Sequence, residues 1–348
     1  MSLNKRLFTG GPPPVYNFGV TTYTGNGGTN SITTGFQSDL VFLRNSDTTS
    51  AYATGVFDSN RGATKWVNAT NVNAQVTESN SLTSFDSGGF TLGNGGDFNA
   101  NGGTFNSFSL KANGGTTSTN SNGSINSTVQ TNSDAGFSIV SYTGTGSAGT
   151  VGHGLSSTPQ MIIFKKTDVS GWKVYNENLT NPTTSTYELN DRTAQYSPAG
   201  GGGLFNSTAP TSSVFSVGNY ADTNSSGGAV TAYAFHSVSG YSKLGKYTGN
   251  ASSNAITVGF LPKFLMIKKI SASGTMFIYL ASGMTAQSYG YSGNSGMTLS
   301  GSTATLPSIE FRSDNGGQFV LSGSDYNLNA NNQTFVYYCV GGDLTNVL

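Results

Sequence analysis

The chain has 348 residues, 9% of them charged, with 16 basic and 16 acidic side chains and a formal net charge of zero. That balance gives a nucleic-acid or anionic-membrane partner no electrostatic pull, and no apolar run approaches the roughly 20 residues of a membrane helix. An aromatic content of 11% and apolar residues set in short blocks between Gly and Asn oppose disorder.

In chain order, residues 1–16 carry a basic pair (Lys5, Arg6) and a Gly-Gly-Pro-Pro-Pro run but no apolar segment of the kind a secretory signal needs. Three landmarks then recur. The first is an aromatic-led turn: Tyr23-Thr-Gly-Asn-Gly27, Tyr142-Thr-Gly-Thr-Gly146 and Tyr247-Thr-Gly-Asn-Ala251. The second is a four-residue apolar run ending in a base: Leu40–Leu43 before Arg44, Met161–Phe164 before Lys165, and Phe264–Ile267 before Lys268. Such runs read as strands covered on both faces, with the base leading the chain out into solvent. The third is a hairpin: Phe90–Gly93 with Gly103–Phe108, Phe215–Gly218 with Ala229–Tyr233, and Phe319–Ser322 with Thr334–Tyr338. Ala229, Thr231, Tyr233 and Phe235 alternate with smaller residues, as in a strand with one face in a core.

This internal repeat predicts an all-β protein: a tandem array of three related β-sandwich or jelly-roll-like domains behind a short N-terminal arm. The predicted boundaries are 1–16 for the arm, 17–111 for domain one, 112–134 for a polar linker, 135–240 for domain two and 241–348 for domain three. Within the linker Ile125, Ser127, Val129 and Thr131 alternate, so part of it is expected to pair as an edge strand. Domains two and three join abruptly through Phe235–Tyr241, which predicts the stiffer joint there and sets domain one apart. Near-zero net charge favours association, so a homo-oligomer within a larger assembly is expected.

Motifs that resemble chemistry have structural readings. Gly144-Thr-Gly146-Ser-Ala-Gly149 fits a dinucleotide fingerprint by letter, but no helix follows to hold a pyrophosphate. His153 and His236 have no equivalents in the other units. Glu188 with Asp191, and Glu310 with Asp314, are the carboxylate pairs that leave a polysaccharide-degrading activity open. Asp97-Phe-Asn99-Ala-Asn101-Gly102 begins like a calcium loop but lacks its twelfth acidic residue, and the matching stretches at Asp222 and Asn327 make Asx-stabilised turns the common explanation. Cys339 is read as a buried core thiol. No cofactor, no metal site and no catalytic residue is expected. Tyr196, Tyr289 and Tyr291, set among Gly and Ser, have the composition of recognition loops and are the candidate ligand-binding residues.

Val56–Lys65 with Ser79–Gly88, Phe137–Gly144 with Val151–Leu155, and Pro210–Gly218 together resemble a family of repeat domains in virion proteins of tailed bacteriophages, notably phages of marine bacteria and cyanobacteria. The opening Met1-Ser-Leu-Asn-Lys-Arg-Leu7 resembles the start of several phage appendage proteins. The resemblance covers most of the chain, strongest over 52–260, with departures at Phe108-Ser-Leu110 and 280–305. It implies a structural, non-enzymatic virion component made in the host cytoplasm. Such a protein would dock through Lys5, Arg6, Leu7 and Phe8 onto other virion proteins, with domain one anchoring and domain three presented outward. A tail-fibre or appendage protein touching host surface polysaccharide or protein is the leading expectation. A capsid decoration or knob protein is the alternative, and a polysaccharide-degrading enzyme the third. Neither nucleic-acid binding nor membrane insertion is expected.

Overall fold

The three apolar runs become three equivalent strands: Leu40–Asn45, Met161–Lys166 and Phe264–Lys269. A computed structural model describes residues 18–45, 54–200, 202–274, 276–280, 289–291, 297–299 and 309–341, with backbone alone for 277–280, 289–291 and 297–299. Each run lies in an antiparallel sheet of one repeated order: opening strand, closing strand, core strand, fourth strand. The opening strands are Phe18–Thr24, Phe137–Thr143 and Ser242–Thr248; the closing strands are Thr104–Leu110, Ala229–Phe235 and Thr334–Val340. The fourth strands are Gly55–Asp58, Lys173–Asn176 and Met276–Leu280.

The register is the same in all three units. Tyr23 stands opposite Phe105, Tyr142 opposite Val230 and Tyr247 opposite Phe335. Leu40, Met161 and Phe264 face Leu110, Phe235 and Val340. A second, smaller sheet covers each main sheet: Asn30–Thr33, Gly89–Leu92 and Leu82–Asp86 in unit one, Gly149–Gly152 with Val214–Val217 in unit two, and Asn254–Thr257, Gln318–Leu321 and Ile309–Arg312 in unit three. The protein is therefore all-β, built of β-sandwich units. Among the described residues, helix is confined to the single turns Gly96–Asn99, Gly202–Phe205 and Ala221–Asn224.

Strand alternation explains why the apolar runs are unbroken. Val41 and Leu43, Ile162 and Phe164, and Leu265 and Ile267 each enter the private core of their own sandwich. Leu40, Met161, Ile163, Phe264 and Met266 point the other way, into one core shared by all three units, with Phe42 packed against it. There Phe264 of unit three meets Phe18 and Phe108 of unit one at 5.2 and 5.4 Å between ring centroids. Tyr338 of unit three meets Phe235 of unit two at 5.2 Å. The closing strand of unit two is buried on both faces, not one: Tyr233 and Phe235 join the shared core while Val230, Ala232 and Ala234 fill the private one. Cys339 is fully buried in the private core of unit three, and burial pushes its thiol up.

Two further expectations are corrected. Arg44, Lys165 and Lys268 do not lead the chain into solvent; they are 2%, 1% and 1% exposed. Alternation puts each on the shared-core side of its strand, where Arg44 donates to the Thr54 hydroxyl at 3.1 Å and carbonyl groups receive the two lysines. Lys165 Nζ donates to Ser170 O at 2.6 Å, and Lys268 Nζ donates to Asp191 O and Gly274 O at 2.8 and 2.9 Å. Nor does unit one stand apart. Its residues contribute to the shared core, and the polar segment that follows it supplies Ser118–Asn120 and Ser127–Asn132 to the main sheet of unit two, the latter paired with the opening strand from Phe137 to Tyr142. That segment is pinned at its start by the buried Asp39 carboxylate, which accepts the amides of Ala112, Gly114 and Gly115 at 2.7–2.8 Å.

Candidate functional site

The landmark turns share one internal latch. A buried Asn (Asn99, Asn224 or Asn329) ends a tight turn, and its Oδ1 accepts the backbone amide of Asn26, Thr145 or Asn250 at 2.8–3.1 Å. Its Nδ2 donates to Gly28 O and Gly93 O, to Ser147 O and Gly218 O, or to Ser252 O and Gly323 O at 2.5–2.8 Å. The landmark tyrosine donates to the carbonyl just before that Asn: Tyr23 to Phe98 at 2.7 Å, Tyr142 to Thr223 at 2.5 Å and Tyr247 to Leu328 at 2.6 Å. The stretches that begin like calcium loops thus spend their Asn side chains on backbone groups. Among the described residues no three His, Cys, Asp or Glu side chains converge as a metal site would require.

Of the candidate ligand-binding tyrosines, Tyr196 lies in a half-buried polar cluster of unit two. Its hydroxyl donates to Glu188 Oε1 at 2.5 Å and accepts from Lys173 Nζ at 2.8 Å, and Lys173 is ion-paired to Glu188 and, at 3.3 Å, to Asp222. Lys173 also lies over the rings of Tyr196 and Tyr220, 5.5 and 5.8 Å from their centroids. Burial, joined by the bond to the Glu188 carboxylate, raises the Tyr196 phenol well above the ordinary range. The phenol is held neutral and occupied by structure. The backbone of Tyr289 and Tyr291 forms a ribbon with Met297–Leu299, and the side chains lie outside the described residues, as do Lys5, Arg6, Leu7 and Phe8.

His153 is fully buried; its Nδ1 accepts the Leu155 amide at 3.1 Å, so Nε2 carries the proton that goes to Thr211 O, also at 3.1 Å. Burial lowers its pKa to about 4. A neutral imidazole with both nitrogens engaged is a fixed structural element. Glu310, itself exposed, pairs with Arg312 at 2.5 Å within the half-buried strand Ile309–Arg312.

A polar cavity lies between units one and two, and sequence reasoning did not single it out. It holds about 480 Å³ and is lined by hydroxyls and amides, among them Asn60, Gln75, Thr128, Ser141, Thr143 and Thr167. The hairpin after Gly55–Asp58 forms one wall. Asn60 Nδ2 crosses to Thr128 O and Ile139 O of unit two at 3.2 and 3.3 Å. Arg61 is fixed beneath it by Asp58 at 2.5 Å and by Val56 O at 2.9 Å, and Tyr233 of unit two donates to the same Asp58 at 2.7 Å. Asp58 and Arg61 are a buried ion pair completed by a hydroxyl from the neighbouring unit. The buried guanidinium is thereby committed, leaving Lys65 as the exposed charge of this cavity.

The fold and this geometry define a class: an all-β protein of three sandwich units welded by one core, with a polar cleft at a seam. The chain belongs to a family described as a domain of unknown function (DUF7483), which matches residues 13–342 and so spans all three units. No curated protein and no solved structure matches it.

Proposed function

We propose that this chain is a structural protein of a tailed-bacteriophage virion, a tail-fibre or appendage protein that docks through its N-terminal segment and meets the host surface with its outer loops. The reading starts from the resemblance carried by Val56–Lys65. One observation supports it most: that stretch holds Asp58, Ser59, Asn60 and Arg61, which take part in binding unit one to unit two. In this reading the stretch that resembles virion repeat domains serves to join units into one body, as a particle protein requires. Its partners in this reading are other virion proteins, further copies of itself, and a host polysaccharide or protein.

A capsid decoration protein is the second reading, favoured by the shared core, which makes one welded knob of three units. Labelling the chain at Leu348 and imaging particles separates the two. Label at the tail supports the appendage, label over capsid faces supports decoration, and particles without label overturn both. Release of reducing ends from host polysaccharide by the purified protein would instead favour the enzyme reading.

A further inference from the structure

The cleft between units one and two has a counterpart between units two and three. The second cavity holds about 340 Å³ and is lined by Asn178, Thr180, Gln195, Thr248, Ser271 and Thr334, with Tyr247 at its floor. Register places the two in correspondence. Asn60 and Asn178 each stand two residues past the fourth strand. Thr143 and Thr248 end the opening strands, and Ala229 and Thr334 begin the closing strands opposite them. Gln75 and Gln195 both close the seam through their backbone amides, onto Thr167 O at 2.6 Å and Ile270 O at 3.0 Å. The same side chain also carries a spare polar atom in both: Asn60 Oδ1 and Asn178 Nδ2 are buried without a partner. The first cleft is larger because Ser118–Asn120 and the start of Ser127–Asn132 add a wall that unit three, joined directly to unit two, does not have.

We propose that the two clefts are paired binding sites for an acidic polysaccharide. The proposal deepens the host-contact reading and rests on it for where the ligand comes from. Clefts of this size suit a few sugar rings, and walls of hydroxyls and amides match a polyhydroxylated chain better than an apolar peptide. No carboxylate lines either cleft, and each presents one exposed ammonium, Lys65 in the first and Lys246 in the second. A neutral polar lining with a single cation selects a saccharide that carries spaced carboxylates, such as a polyuronate, over a neutral glucan. The landmark tyrosines at the floors are buried and latched, so neither cleft offers an open aromatic platform and each alone binds weakly. Their fixed separation on one body makes the pair effective, because a polymer engaging both sites gains avidity that a short fragment cannot.

The test uses the purified full-length chain with long polygalacturonate, trigalacturonate and dextran, by titration calorimetry and co-sedimentation. The polymer is expected to bind at least tenfold more tightly than the trimer, to weaken as salt rises, and to outcompete dextran. Lys65→Ala with Lys246→Ala should reduce polymer affinity at least tenfold with thermal unfolding unchanged, since both side chains are exposed. Thr143→Trp with Thr248→Trp, which fills both clefts from exposed positions, should abolish binding. Equal binding of dextran, no binding of the polyuronate, or full binding by both double variants overturns the proposal. These outcomes are independent of where the chain sits on a particle, so failure here leaves the virion reading standing, and failure of the imaging experiment leaves the clefts standing.

Discussion

The two seams share a scheme and differ in what holds them. In both, a loop from one unit accepts and donates backbone bonds with the next unit's hairpin: Gln75 to Thr167 and Ser170 to Val72 at the first, Gln195 to Ile270 and Gly274 to Arg192 at the second. In both, a buried lysine aims at carbonyl groups. Among the described residues, only the first adds a buried ion pair with a hydroxyl from across the seam, together with Trp172 Nε1 donating to Asn68 O at 2.8 Å and Gln130 Nε2 donating to Ser59 Oγ at 2.8 Å. Units one and two are joined by the longer, more polar connection, yet among the described residues theirs is the seam that carries the buried ion pair. Length of chain between units says how far apart they can be. Side chains that become complementary only after folding say how tightly they are held.

The largest expected effect comes from breaking that difference. Asp58→Ala leaves the Arg61 guanidinium buried without its carboxylate, and loss of one partner of a buried pair costs about 3–5 kcal/mol. Asn176 occupies the register-equivalent position at the second seam, opposite Met161 as Asp58 is opposite Leu40. Its change to Ala removes neutral hydrogen bonds, including the one from the Asn178 amide, and should cost roughly 1–2 kcal/mol. Urea unfolding of the two variants measures both numbers, and equal losses would show that the seams are alike after all.

Much of the within-unit structure is legible in the sequence because it is local. Four apolar residues in a row between Gly and Asn turns fit a strand covered on both faces, and the Tyr-Thr-Gly turns at Tyr23, Tyr142 and Tyr247 mark the repeats. The seams are less legible for the opposite reason. Asp58 and Arg61 look like a surface turn pair, since the Tyr233 that completes them is 175 residues away. A base after an apolar run looks like an exit to solvent until the carbonyls of another loop are known to stand there. The clefts escaped notice because Asn60 and Gln75 are ordinary letters in a chain rich in Asn and Thr. Aligning the units with one another, to pair Asn60 with Asn178 and Gln75 with Gln195, is the signal that would have found them. Tyr196 had the right surroundings for a recognition loop, but composition does not reveal that Lys173 and Glu188 hold its hydroxyl.

The latches give the opposite expectation to the seams. Asn99, Asn224 and Asn329 make the same three core bonds, so Asn→Ala at any of them should cost a similar amount, roughly 2–4 kcal/mol, from stranded buried amide and carbonyl groups. A spread among the three much wider than 1 kcal/mol would mean that each unit's stability is set by its seam rather than by its own turn. Thermal unfolding of the three single variants, side by side, decides it.

The smallest effect probes what the seams have in common. Burial lowers both Lys165 and Lys268 to a pKa of about 8, against 10.5 for the free side chain. Below pH 8 both are cations in the folded and unfolded chain alike, and the folded state bears the full cost of burying them. Between pH 8 and 10.5 these two lysines hold more protons in the unfolded chain than in the folded one, so their own contribution to stability rises with pH in that window. The buried Cys339 thiol, which ionises on unfolding, opposes it and is the same in parent and variant. The slope per lysine is at most about 1.4 kcal/mol per pH unit. Measured from pH 8 to 9.5, below the range where exposed tyrosines ionise in the unfolded chain, the gain for Lys268 is up to about 2 kcal/mol. Lys268→Met should remove its share of the slope and Lys165→Met the remainder. If only one substitution flattens the profile, the buried base is a feature of one seam, and the likeness between them ends at the backbone.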